Sequence, residues 1–126
     1  MTTPTQGIVL FAHGSRDPLG RVPIEAVEAH IRAHQPAVAV RCAYLELSTP
    51  DLPQAVEDLV SQGATAVTIV PMFLGTGKHA REDLPMLVAE LRARHPRVQV
   101  HVQAAIGEDP RMTALMAHIA CTPPAQ

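Results

Sequence analysis

Gly7-Ile-Val-Leu-Phe-Ala12, followed at once by His13-Gly-Ser-Arg-Asp-Pro18, is the stretch on which the fold turns. An apolar run without polar alternation suits a strand covered on both faces, as in a parallel sheet with helices on either side. The polar turn after it leads into a helix expected over Leu19 to His34, with Ile24, Val27 and Ile31 along one face. Pro23 lies near its first turns and shifts the true start later, and Pro36 closes it. Val38 to Leu47 reads as a second strand, with Glu46 at its end. Ser48 or Thr49, just before Pro50, offers an N-cap. Leu52, Ala55, Val56, Leu59 and Val60 then form a helical stripe that Gly63 stops.

The same unit recurs. Ala66 to Met72 is a third strand, and Phe73 to His79 a loop with two glycines. A helix carrying Leu84, Leu87, Val88 and Leu91 ends in Arg92, Arg94 and His95, which suit its negative end. Val98 to Val102 is a fourth strand, and Met112, Leu115, Met116 and Ile119 mark a last helix before a frayed tail at 122–126. Strictly alternating strands and helices predict an α/β fold of three layers, a four-stranded parallel sheet flanked by helices, in one domain over residues 1–126. In such sheets ligands bind beyond the carboxyl ends of the strands. That directs attention to His13–Asp17, Glu46–Thr49, Phe73–Arg81 and Ala104–Asp109.

Composition narrows the function classes. Apolar residues make up 47% and charged residues 17%, which favours a packed core over disorder. A net charge of −2 gives no general attraction to nucleic acid or anionic membrane, and three aromatics supply no base-stacking platform. Cys42 and Cys121 are far apart, outside any CxxC spacing, and read as reduced thiols of a cytoplasmic protein. Met1 to Gln6 lacks a basic leader region, and Ile8 to Ala12 is too short to span a membrane.

Two histidines fall on the ligand rim, His13 after the first strand and His79 after the third. Neutral imidazole suits borderline divalent ions such as cobalt, nickel, iron and zinc. An isolated rim histidine is more often a hydrogen-bonded loop residue; two on one rim make a metal site an equally good reading. His30, His34, His95 and His118 read as solvated helix residues, and His101 has no clear partner. Glu46, among apolar neighbours, is either an exposed strand-end carboxylate or a ligand or proton acceptor. Phe73-Leu-Gly-Thr-Gly-Lys78 matches neither a P-loop nor GxGxxG, although Gly75 and Gly77 permit close approach to a flat ligand. Arg16, Arg21, Lys78 and Arg81 could receive carboxylates. A histidine-phosphatase reading of His13-Gly14 fails because Ala12 stands where an arginine is needed.

Three segments in order, His13-Gly-Ser-Arg-Asp-Pro18, Tyr44-Leu-Glu-Leu-Ser-Thr-Pro50 and Pro71-Met-Phe-Leu-Gly-Thr-Gly-Lys-His-Ala-Arg-Glu-Asp-Leu-Pro85, resemble the class II chelatases of the CbiX type. The resemblance implies a chelatase-like fold and insertion of a divalent metal into a sirohydrochlorin-type tetrapyrrole, in cobalamin or sirohaem biosynthesis. It implies Co²⁺ first and Fe²⁺ or Ni²⁺ as alternatives, the metal being substrate and no cofactor being tightly bound. It implies that His13 and His79 bind the metal and that His13 can also accept a proton, with Glu46 the other candidate base on its own chemistry. Glu46, Phe73, Leu74, Gly75, Thr76, Gly77 and Lys78 would line the ring site, with Arg16 and Arg81 meeting its carboxylates. Larger members carry two such lobes; a short form pairs as a homodimer. A carrier without catalysis would use the same two histidines.

Overall fold

The structure is a computed structural model and describes residues 5–123. Its strands are β1 (Gln6–Ala12), β2 (Ala39–Tyr44), β3 (Ala66–Pro71) and β4 (Gln99–Val102). Its α-helices are α1 (Val22–His34), α2 (Leu52–Ser61), α3 (Lys78–Arg94) and α4 (Pro110–Cys121), with 3-10 turns at Pro18–Arg21 and Ile106–Glu108. The strands pair in parallel in the order β2-β1-β3-β4. The expected α/β architecture is therefore present. The later start of the first helix is also present, as the 3-10 turn takes up Pro18–Arg21. Of the expected tail, 124–126 lies outside the described residues.

Alternation along the strands divides the core in two. Val9 and Phe11, with Ala43, Val67 and Ile69, face α2 and α3, where Leu52, Val56, Leu59 and Leu91 are almost fully buried. Burying each such aliphatic side chain stabilises the fold by about 1.5–3 kcal/mol. Leu10, Ala12, Val40, Cys42, Tyr44 and Val70 face the other side, against Ile24 and Ile31 of α1. That side is thinly covered. Neither α1 nor α4 has a buried residue. Val27, expected on the packed face, is 36% exposed, and Leu115 and Ile119 are 49% and 61% exposed.

Local chemistry sets the helix limits. Gly63 sits at φ +102 and ends α2 in a Schellman motif: its N–H donates to the Val60 carbonyl, and that of Ala64 to Leu59. At the other end the N-cap is Asp51 rather than Ser48 or Thr49. Its carboxylate accepts from Gln54 N–H at 2.9 Å, while its own N–H donates to the Gln54 side chain at 3.2 Å. Ser48 is engaged elsewhere, as described below.

Burial next to Glu28 pushes the Cys42 thiol up to about 12 from 9, and burial pushes the Tyr44 hydroxyl up to about 12 from 10. Both groups hold their protons more tightly in the folded chain. The stability this confers is full below about pH 9 and is lost as pH rises through the folded values near 12. A thiol-specific reagent at pH 8 is expected to modify exposed Cys121 alone in the native chain, and both cysteines after denaturation. Spectrophotometric thiol counting checks this, and two rapid equivalents from native protein would contradict it.

Candidate active site

The strand order itself locates the cleft. From β1 the chain crosses to β2 on one side; from β3 it crosses to β4 on the other. The switch point therefore lies between the carboxyl ends of β1 and β3, where the connecting segments diverge and leave a crevice. His13 follows β1 directly. His79 lies on the other flank, in the first turn of α3 rather than in a loop, because the helix begins at Lys78 with Gly77 as its N-cap.

These residues share one cavity of about 360 Å³, lined by His13, Leu45, Glu46, Gly77, Lys78, His79, Ala80 and Asp83. His13, Glu46, Lys78, His79 and Asp83 are all exposed to the crevice and solvent. The His13 ring is seated on Phe73, with centroids 4.4 Å apart, and Phe73 in turn meets Phe11 edge-on at 6.0 Å. Phe73 is only 3% exposed. It supports the imidazole from beneath and does not form the cavity wall.

Glu46 is held by backbone. β2 ends at Tyr44, earlier than expected, yet the ladder continues for two bonds: Leu45 N–H to Ala12 O at 2.9 Å and Glu46 N–H to His13 O at 3.0 Å. Leu47, at φ 64, then turns the chain away. Ser48 clamps the two loops, its hydroxyl donating to the Ser15 carbonyl at 2.8 Å and accepting from the Ser15 N–H at 3.1 Å. Gly14 lies between them at φ +99, and a Cβ there would collide with the Glu46 carbonyl. The proximity of His13 and Glu46 thus depends on a glycine and a serine that carry no chemistry of their own.

The remaining candidates spread outward. Thr76 and Arg81 line an adjoining, more apolar groove of about 400 Å³ with Ala80, Leu84, Pro85 and Val88. Leu74 is 72% exposed at the tip of the loop, next to exposed Gly75. The loop is anchored by Gly107, whose N–H donates to Phe73 O at 2.9 Å. Arg16 is exposed on the loop after β1 and is not among the lining residues of either cavity. Asp83 was not anticipated. It lies one helical turn beyond His79 and so shares its face, a relation visible in sequence only once α3 is known to start at Lys78.

The crevice therefore presents two imidazoles, two carboxylates and one ammonium group. Among the described residues, no three His, Cys, Asp or Glu side chains converge as a closed metal cage. Two imidazoles on separate elements can hold a borderline divalent ion while leaving other positions open. A carboxylate beside them can accept a proton. Among the described residues, no helix is long and apolar enough to cross a membrane.

Comparison with known proteins gives the family. The chain is 30% identical over 113 residues to the sirohydrochlorin ferrochelatase of Bacillus subtilis, covering 90% of this chain and 43% of that protein. It is 31% identical over 90 residues to the sirohydrochlorin cobaltochelatase of Methanocaldococcus jannaschii, covering 71% of this chain and 63% of that protein. The chain thus spans less than two thirds of either relative. Among solved structures it superposes on a CbiX protein of Marinobacter aquaeolei with a TM-score of 0.78 and 31% identity, covering 91% of this chain and 93% of that one. It also superposes on the chelatase SirB of Bacillus subtilis in complex with cobalt, with a TM-score of 0.77 and 31% identity, covering 90% of this chain and 49% of that one. The CbiX family model matches residues 7–121, nearly the whole described chain, and the protein belongs to the CbiX family.

Proposed function

We propose that this chain inserts a divalent metal into a sirohydrochlorin-type tetrapyrrole, with Co²⁺ the first candidate and Fe²⁺ or Ni²⁺ the alternatives. The observation that carries the proposal is the meeting of His13, His79 and Glu46 in one crevice at the β1/β3 switch point. The relatives named as sirohydrochlorin chelatases support the choice of ring.

Insertion exchanges two pyrrole N–H protons for one M²⁺, so the site must hold the ion, hold the ring and accept protons. His13 and His79 hold the ion as neutral ligands, which fits a cargo that must leave. Glu46 takes pyrrole protons, and His13 can do so once it has released the metal. The ring is flat and apolar at its centre and anionic at its edge. Leu74, Gly75, Thr76 and Gly77 offer it an apolar, unobstructed loop. Phe73 acts from below by fixing the His13 ring. Lys78, Arg81 and Arg16 receive the peripheral carboxylates, Arg81 from the adjoining groove.

A carrier would need the two imidazoles and no base. Glu46→Gln is therefore expected to lower turnover by roughly 10²-fold or more while metal binding persists. Absorbance kinetics beside a metal titration check this, and unchanged turnover would remove Glu46 from the role of base.

We also propose that residues 1–126 form one lobe, paired with a second copy in the cytoplasm. Relatives of about twice its length and the unburied apolar stripe of α4, Met112, Leu115, Met116 and Ile119, support the pairing. Ile119→Glu is expected to convert a sedimenting dimer into monomer; a wild-type chain that sediments as monomer at micromolar concentration would refute it.

A further inference from the structure

We propose that His30 and His34 form a second, surface-held site for a borderline divalent metal ion, on α1 and remote from the crevice. Four residues apart on one helix, the two side chains occupy the same face, one turn above the other. Their rings are stacked, with centroids 4.1 Å apart and planes 20° from parallel. Both are exposed, and among the described residues neither joins an ion pair.

The hydrogen bonding prepares one of them as a ligand. His34 Nδ1 lies 2.9 Å from the His30 carbonyl oxygen. A carbonyl can only accept, so in the neutral ring the proton sits on Nδ1 and the lone pair is left on Nε2. This is the arrangement by which metal-ligating histidines are commonly oriented, the second nitrogen donating to a backbone carbonyl. To share one ion, the exposed His30 ring must turn out of the stack, because the in-plane lone pairs of nearly parallel rings do not converge. The setting also favours a cation, because both residues lie in the last two turns of α1, at the negative end of the helix.

The topology separates this site from the crevice. α1 runs from the carboxyl end of β1 back to the amino end of β2, so its last turns lie at the opposite end of the sheet from His13 and His79. Two imidazoles leave the other coordination positions to water, so the ion is exchangeable. The chemical class is that of imidazole-seeking ions: Ni²⁺, Co²⁺, Cu²⁺ or Zn²⁺. The site stands whether or not the crevice is catalytic.

The test uses the His13→Ala/His79→Ala chain, which lacks the crevice pair, titrated calorimetrically with Ni²⁺ at pH 7.5. One ion per chain is expected. Adding His34→Ala should weaken that binding by at least about tenfold, whereas adding His118→Ala, exposed on α4, should not change it. Far-ultraviolet circular dichroism confirms that α1 is retained in each variant. Absence of Ni²⁺ binding to the His13→Ala/His79→Ala chain, or an isotherm unchanged by His34→Ala, would overturn the proposal.

Discussion

His79→Ala is expected to cut metal insertion by about a hundredfold or more while leaving the fold intact. Even outer partners of a ligand commonly cost about 10–100-fold in metal affinity or activity when removed, and His79 is proposed as a direct ligand. The substitution costs the fold little. His79 is exposed in the first turn of α3, outside both core clusters, and alanine is the best helix former. Melting is therefore expected to shift by no more than about 0.5 kcal/mol of stability. Arg97→Ala, exposed in the turn before β4 and lining neither cavity, serves as the control and should keep normal turnover. Initial rates beside a thermal melt check both parts, and near-normal turnover by the His79 variant would remove the metal-holding role.

Gly14→Ala is expected to damage stability and activity together. The position carries φ +99, a conformation that costs an L side chain roughly 1–2 kcal/mol. The added Cβ would also meet the Glu46 carbonyl, so the two loops must separate. Separation breaks the Glu46 N–H to His13 O bond and strains the Ser48 clamp. A combined loss of about 2–4 kcal/mol is expected from strain and lost bonds. Turnover should fall further than the unfolded fraction explains, because the folded remainder no longer holds Glu46 beside His13. Gly63→Ala provides the contrast. It shares the positive φ but meets no atom within 4 Å, so it should lose stability and keep turnover per folded molecule. Equal specific activity in the two variants would contradict the coupling of the loops.

Much of the fold was legible because β1, β2 and β3 are largely apolar runs and β4 alternates, each bounded by prolines, glycines or polar turns. The crevice was legible at His13 and His79 because both lie in segments that follow strands, and the strand-end rule needs only the alternation of elements. What escaped the sequence depended on contacts between segments. Glu46 reads as a strand-end candidate, but its strand ends at Tyr44 and bonds to the β1 loop place it. Ser48 looks like a helix cap until Ser15, far away in the chain, takes its hydroxyl. Asp83 enters the crevice through the start of α3 at Lys78, two residues earlier than the loop Phe73 to His79 suggested. Phe73 belongs to the core although it stands in that loop. The stripe on α4 was read from its spacing, but that it stays unburied, with α4 set against the 3-10 turn Ile106–Glu108, required the tertiary structure.

The crevice and the exposed α4 stripe make one consistent picture, a rim that can offer a metal and a lobe with an apolar face to pair. The most direct test is an anaerobic absorbance assay of the purified chain with sirohydrochlorin and Co²⁺, Fe²⁺ or Ni²⁺ in turn, against a protein-free control. Metallation faster than the control with at least one ion, Co²⁺ foremost, is the predicted result. No acceleration with any of the three, while metal or ring still binds, would contradict the chelatase and leave a carrier.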